Sequence, residues 1–147
     1  MTDTGSAIPP AVRAKLEAAR VARLATVDAE NTPHLIPICF VFDGSVLYSG
    51  IDRKPKRVAA QQLTRLRNIE ATPEVAFLID EYDDDWDRLW YVLVRGKAAL
   101  VTAKDAEHKL AMARLKAKYP KYEAGMLAED ALILRITPDR ITSWGKL

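Results

Sequence analysis

The stretch RVARLATVDAENTPHLIPICFVFDGSVLYSGI, residues 20–51, decides the fold. RVARLATVD is short, apolar and rich in β-branched residues, AENTP breaks it with turn-forming residues, and HLIPICFVF resumes strand character. Asp43-Gly44 is a hairpin signal that leads into SVLYSGI. The stretch therefore reads as three consecutive antiparallel strands. Pro37 falls inside the second of them and cannot donate to a ladder, so that strand is expected at an edge or bulged. Either a ligand approaches the backbone there, or the strand is an ordinary edge.

Outward from this core the elements stay separate. PPAVRAKLEAAR, before it, carries Val12, Leu16 and Ala19 at i, i+4, i+7, a narrow helical stripe. After it, Pro55 begins a helix with Ala59, Leu63, Leu66 and Ile69 on one face, ending before Pro73. EVAFLID is apolar on both faces, as in a central strand, and LWYVLVRGKAALV is a long strand with Gly96 as a bulge. KDAEHKLAMARLKAKY is expected as a helix burying Ala106, Leu110, Ala113 and Ala117, stopped by Pro120. ALILRITPDRITSW closes the chain as one strand, or as two broken at Pro138-Asp139. About six strands with helices inserted singly between them argue for an antiparallel α+β sheet or barrel.

A chain of 147 residues, 49% of them hydrophobic, can build a sizeable core, and one domain over 1–147 with a flexible N-terminus over 1–8 is expected. A net charge of +2 argues against a nucleic-acid module. One cysteine, Cys39, and the absence of a long apolar run or a basic, apolar N-terminus point to a cytoplasmic chain without a membrane span.

Few residues offer chemistry of their own. Asp83, Asp85 and Asp87 have the 1, 3, 5 spacing of a calcium loop, but Arg88 and Val94 stand where glycine and glutamate are required. A charged hairpin tip is the better reading, with no metal. His34 and His108 lack partners at ligand spacing, and His108 is expected to be exposed. Cys39 reads as a small buried hydrophobe. The informative feature is IDRKPKR, residues 51–57, which sets Arg53, Lys54, Lys56 and Arg57 at the start of a helix. A helix N-terminus is already partially positive, so cations there are unfavourable by about 0.3–1 kcal/mol each when close to the first turn. A bound phosphate reverses the sign, because the free N–H groups and the cations then act together. A solvated basic turn is the competing reading.

ARLATVDAENTPHLIPICFVFDG, VLYSGIDRKPKR and LRNIEATPEVAFLID, in this order, resemble the pyridoxamine 5′-phosphate oxidase-like flavoproteins. YDDDWDRLW and AKYPKY narrow the likeness to the short branch of deazaflavin (coenzyme F420)-dependent oxidoreductases, and the resemblance runs from Ala19 to Trp144. It implies a six-stranded split β-barrel with peripheral helices. It also implies a homodimer with two cofactors in grooves at the subunit interface. By the same resemblance Lys56 and Arg57, with Lys54 as a third, hold the cofactor phosphate, and Tyr48 and Ser49 lie beside the phosphate or ribityl chain. The backbone of Ile36, Pro37, Ile38 and Cys39 lies against the ring system, and Trp86, Trp90 and Trp144 reach the pocket from the partner. Pyridoxamine phosphate oxidases end in a motif bearing arginine and histidine, whereas DRITSWGKL has Arg140 and no histidine, which argues against vitamin B6 oxidation. The expected activity is hydride transfer between F420 and an unsaturated or quinone-like small molecule. FMN on the same fold and a non-catalytic flavin- or haem-binding protein are the alternatives. Tyr82, Tyr91 and solvent are left as sources of the proton.

Overall fold

The computed structural model describes the backbone over residues 2–3, 7–52 and 59–147, and side chains over 7–52 and 64–147. The strands are β1 (Thr2–Asp3), β2 (Ala22–Val27), β3 (Pro33–Ile38), β4 (Val41–Phe42), β5 (Leu47–Gly50), β6 (Glu74–Glu81), β7 (Trp90–Val101) and β8 (Ile133–Gly145). The helices are α1 (Pro10–Ala18), α2 (Ala59–Ala71) and α3 (His108–Lys118). All strand pairs are antiparallel and form one sheet in the order β3-β2-β6-β7-β8-β5-β4, with β1 beside β8. The architecture is the expected α+β split barrel. Its described strands number eight rather than six, because β1 adds one and the second strand of the opening stretch breaks in two.

That break closes the barrel. Among the described residues β3 pairs only with β2 at one end of the sheet, while β4 pairs only with β5 at the other. Only Cys39 and Phe40 separate the two strands in the chain, so the sheet curls until its ends meet at this corner. Backbone groups that leave a ladder need other partners. At the corner they find side chains. The Phe40 N–H donates to the Tyr119 hydroxyl at 2.9 Å, the Phe40 carbonyl accepts from Lys118 Nζ at 2.9 Å, and the Cys39 carbonyl accepts from Ser49 Oγ at 2.7 Å.

Other local features follow their residue chemistry. Pro37 lies in an edge strand, opposite Arg23, where its missing N–H leaves no gap in the sheet interior. The Asp43 carboxylate accepts from the Ser45 and Val46 N–H groups, both at 2.8 Å, and Gly44 takes φ +99° in the turn. The β7–β8 register slips between Arg95 and Gly96, opposite Pro138-Asp139, so β8 stays continuous across its proline. A Cβ on Gly96 would lie 2.1 Å from the Thr137 carbonyl oxygen, so glycine is required by the close backbone approach.

The barrel interior is filled from β2, β6, β7 and β8, with Phe77 at its centre edge-on to Phe40 at 4.8 Å, and α1 adds Val12 and Leu16. Ile69 of α2 is buried there and Leu66 packs against it. The expected contributions of Ala59 and Leu63 lie outside the described residues. A second cluster joins α3 to β5 and β8. Here the expected stripe is corrected: α3 buries His108, Ala111, Met112 and Leu115, while Leu110 is 60% exposed. His108, expected to be exposed, is buried with its Nε2 2.7 Å from the Ala131 carbonyl. Among the described residues no helix is long and apolar enough to cross a membrane.

Candidate functional site

The corner between β3 and β4 opens into a cavity of about 440 Å³. Cys39 lines it from the corner itself, and Asp52 lines it from the end of β5. Tyr119, Tyr122 and Met126 form its far wall, with Arg20 and Lys121 also on the lining. The wall is held by aromatic contact and by burial: the two tyrosine rings lie 5.3 Å apart, and both residues belong to the α3-side core.

The two tyrosine hydroxyls, and Lys118 beside them in sequence, have definite partners. The Tyr119 hydroxyl, besides accepting from Phe40, lies 2.8 Å from the Arg20 carbonyl and 3.0 Å from that of Phe40. Burial pushes its pKa up to about 12. The Tyr122 hydroxyl donates to Asp52 Oδ2 at 2.6 Å, and burial followed by this bond raises its pKa, so it keeps its proton at neutral pH. The Lys118 ammonium sits 4.1 Å above the Phe40 ring, and burial, reinforced by Arg20, lowers its pKa to about 8.

Arg65, on α2, is close enough to Asp52 and Tyr122 to feel their charge. It is 5% exposed, and its Nε has no hydrogen-bond partner among the described residues. Burial lowers its pKa, opposed by the charge of Asp52 and by Tyr122. A buried guanidinium with an unpaired donor is unfavourable by roughly 1–3 kcal/mol unless an acceptor reaches it. The donor set therefore fits an anionic group, and Asp52 is the residue directly before Arg53 in the chain.

The sequence-derived site residues are distributed as follows. Cys39 and Ser49 come together through their 2.7 Å bond. Ile36 and Ile38 turn into the core, and Pro37 is exposed between them. Tyr48 faces α3: its hydroxyl donates to Glu107 Oε2 at 2.6 Å, on a carboxylate also bound by Arg135. Trp90 is buried in its own chain, donating to Glu81 at 2.9 Å beneath Lys15, whose ammonium lies 4.5 Å from the ring centre. Trp86 is 73% exposed in a one-turn 3-10 helix, and Trp144 is 53% exposed, stacked on Tyr91 at 6.1 Å. Lys54, Lys56 and Arg57, with Arg53 and Pro55, lie outside the described residues. Among those described, no group of acidic, histidine or cysteine side chains could hold a metal ion. The sequence reading assigned no site roles to Asp52, Tyr119 and Tyr122, and took Arg65, with Arg53 and Arg67, as a cation able to attract the anionic tail of the deazaflavin cofactor. The available signal was an arginine four residues before the apolar Ile69 on one helix, a position that faces inward.

The family model described as pyridoxamine 5′-phosphate oxidase matches residues 8–145. No curated protein matches the chain at a significant level. Among solved structures, the haem storage protein HutZ from Vibrio cholerae superposes with a TM-score of 0.71 at 16% identity, over 96% of both chains. An F420 reductase gives a TM-score of 0.64 at 24% identity, over 92% of this chain and 98% of the other. An FAD-binding protein from Mesorhizobium loti gives 0.65 at 21% identity, over 92% and 94%. At these identities the likeness carries the fold, and the family match carries the membership. With its curled antiparallel sheet and a match over nearly its whole length, the chain belongs to the pyridoxamine 5′-phosphate oxidase family.

Proposed function

We propose that this protein is a homodimeric oxidoreductase that binds coenzyme F420 at the β3–β4 corner and reduces an unsaturated or quinone-like small molecule. The observation that carries the reading is the buried Arg65, whose Nε has no partner among the described residues and on which the charge of Asp52, a cavity-lining residue directly before RKPKR in the chain, acts. A phosphodiester would give that guanidinium its acceptor, with Lys54, Lys56 and Arg57 as further cations. F420, when bound and reduced, supplies the hydride. The chain's own part is to hold and to shield. Tyr119, Tyr122 and Met126 keep water from one side of the cavity, and the bonds from Ser49, Lys118 and Tyr119 fix the Cys39–Phe40 backbone against which a flat ring would rest. Tyr122 is a poor acid, since burial and Asp52 both retain its proton. Tyr82 stands 70% exposed and Tyr91 lies under Trp144, so solvent is the proton source in this reading.

Dimerisation has support in the outer face of the sheet. Cross-strand registers bring Leu35, Ala25, Ala76 and Arg95 into one row and Pro37, Arg23, Leu78 and Leu93 into the next, with Leu35 66% exposed. A largely apolar face with an arginine in each row suits a second copy of the chain.

Titrating the protein with oxidised F420, FMN and haem while following tryptophan fluorescence tests the reading, together with oxidation of reduced F420 by a panel of enones and quinones. F420 binding with acceptor-dependent turnover is expected. FMN binding alone would move the protein to flavin chemistry. Haem binding without turnover would make it a carrier.

A further inference from the structure

We propose that Arg20 and Lys121 select the acceptor, favouring an unsaturated or quinone-like molecule that carries a carboxylate away from its reacting bond. The inference rests on the cavity being a site for cofactor and acceptor, and it names the class of acceptor. Both cations line the cavity and both are exposed. Arg20 is held in place from two sides. Its Nη2 donates to the Lys118 carbonyl at 2.8 Å and its guanidinium lies 5.1 Å from the centre of the Tyr119 ring, while the Tyr119 hydroxyl lies 2.8 Å from the Arg20 carbonyl. A guanidinium offers several N–H donors in a fixed fork that matches a carboxylate, so the bond to Lys118 leaves donors for a ligand. Neither Arg20 nor Lys121 has an acidic partner among the described residues, whereas Arg13, Arg23, Arg88, Lys97, Lys116 and Arg135 each have one.

The aromatic wall gives the cavity a direction. Contacts run from Arg20 to the Tyr119 ring, from that ring to Tyr122 at 5.3 Å, and from the Tyr122 hydroxyl to Asp52 at 2.6 Å. The cation and the acidic residue thus belong to opposite ends of one wall. Tyr119, Pro120, Tyr122 and Met126 offer the body of an acceptor an apolar surface. A carboxylate on that body meets Arg20 at the Tyr119 end, with Lys121 on the same lining. Arg20 and Lys121 touch the charged group and not the reacting atoms, so their part is specificity. The contact is open to solvent, so the expected preference for an acidic acceptor over an uncharged one is about fivefold, or about 1 kcal/mol.

The test uses the chain loaded with oxidised F420, which holds an acceptor without turning it over. Calorimetry measures the dissociation constants of benzylideneacetone bearing a para carboxylate and of the matching carboxamide, which has the same shape and no charge. The native chain should bind the acid about fivefold more tightly, and the advantage should shrink as salt is added. Glutamine keeps a side-chain donor for the Lys118 carbonyl, so Arg20→Gln combined with Lys121→Gln should bring acid and amide to equal affinity by weakening the acid alone. Arg20→Lys, which keeps the charge, should keep the acid ahead. Equal binding of acid and amide to the native chain overturns the proposal and leaves the cofactor site standing. An equal loss for acid and amide in the double variant also overturns it, because Arg20 would then serve only to cap α3. A loss of F420 affinity as large as that of the acid overturns it too, since the anion held there would be the cofactor's own. No binding of F420 to the native chain overturns the cofactor site and the proposal together.

Discussion

Replacing Tyr119 by phenylalanine removes one oxygen from the point where the barrel closes. That oxygen accepts from the Phe40 N–H at 2.9 Å and lies within bonding distance of the Arg20 and Phe40 carbonyls. The Phe40 carbonyl keeps Lys118 Nζ, but the Phe40 N–H, fully buried with its residue, is left with no acceptor in the corner. The ring remains, so no cavity larger than a hydroxyl opens. The loss is one buried unsatisfied donor, about 1–3 kcal/mol, with about 2 kcal/mol as the working figure. At this chain length about 2 kcal/mol lowers the melting temperature by roughly 4–8 °C. Urea unfolding of the native and Tyr119→Phe chains should show a lower midpoint with an unchanged slope. Tyr91→Phe, on the outer face, serves as the control and should move stability by less than about 0.5 kcal/mol. A Tyr119→Phe midpoint indistinguishable from native would refute the idea that this hydroxyl closes the barrel.

Three further outcomes are expected. In Gly96→Ala the new methyl would meet the Thr137 carbonyl at 2.1 Å, so β7 or β8 must shift; a loss of more than about 2 kcal/mol in urea unfolding checks this. The Lys118 pKa is lowered to about 8 on folding, so between about pH 8 and the unfolded value near 10.5 the unfolded chain binds more protons. Relative to Lys118→Met, the native chain should therefore gain stability as the pH rises through that window, and a flat difference across it would contradict the desolvation of the amine. Arg65→Met should leave the melting temperature of the ligand-free chain unchanged or raised, since an apolar side chain replaces an unpaired donor, yet weaken F420 binding at least about tenfold in a fluorescence titration.

What could be read from the sequence depended on how local its cause was. The Asp43-Gly44 turn, the Gly96 bulge and the edge position of Pro37 are set by backbone chemistry within a few residues, and all three stand in the structure. The break at Cys39–Phe40 is different: the residues that make it tolerable, Lys118 and Tyr119, lie 78 and 79 positions away, and nothing in ICFVF announces them. The face of α3 was misassigned because the helix is rich in alanine and its phase is weakly marked. Counting His108 with Ala111, Met112 and Leu115 restores the i, i+3, i+4, i+7 pattern, but a histidine reads as polar until the Ala131 carbonyl is seen beside it. The site divides along the same line. RKPKR is visible as a cluster of charge, whereas Asp52 and Tyr122 meet only after the chain has folded across the 70 positions between them.

The corner has a consequence for synthesis. A ribosome delivers the chain from its N-terminus, so β2 to β5 emerge long before α3. Until Lys118 and Tyr119 follow, 78 and 79 residues behind Phe40, the Phe40 backbone groups lack these partners, and β5 still lacks its neighbour β8. The nascent chain can pair β2 with β3 and β4 with β5, both local hairpins, but it cannot join them into a barrel. Closure waits for the last third of the polypeptide, and a ribosome stalled before residue 119 would hold the β4–β5 hairpin unjoined to the sheet that β2 and β3 build with β6.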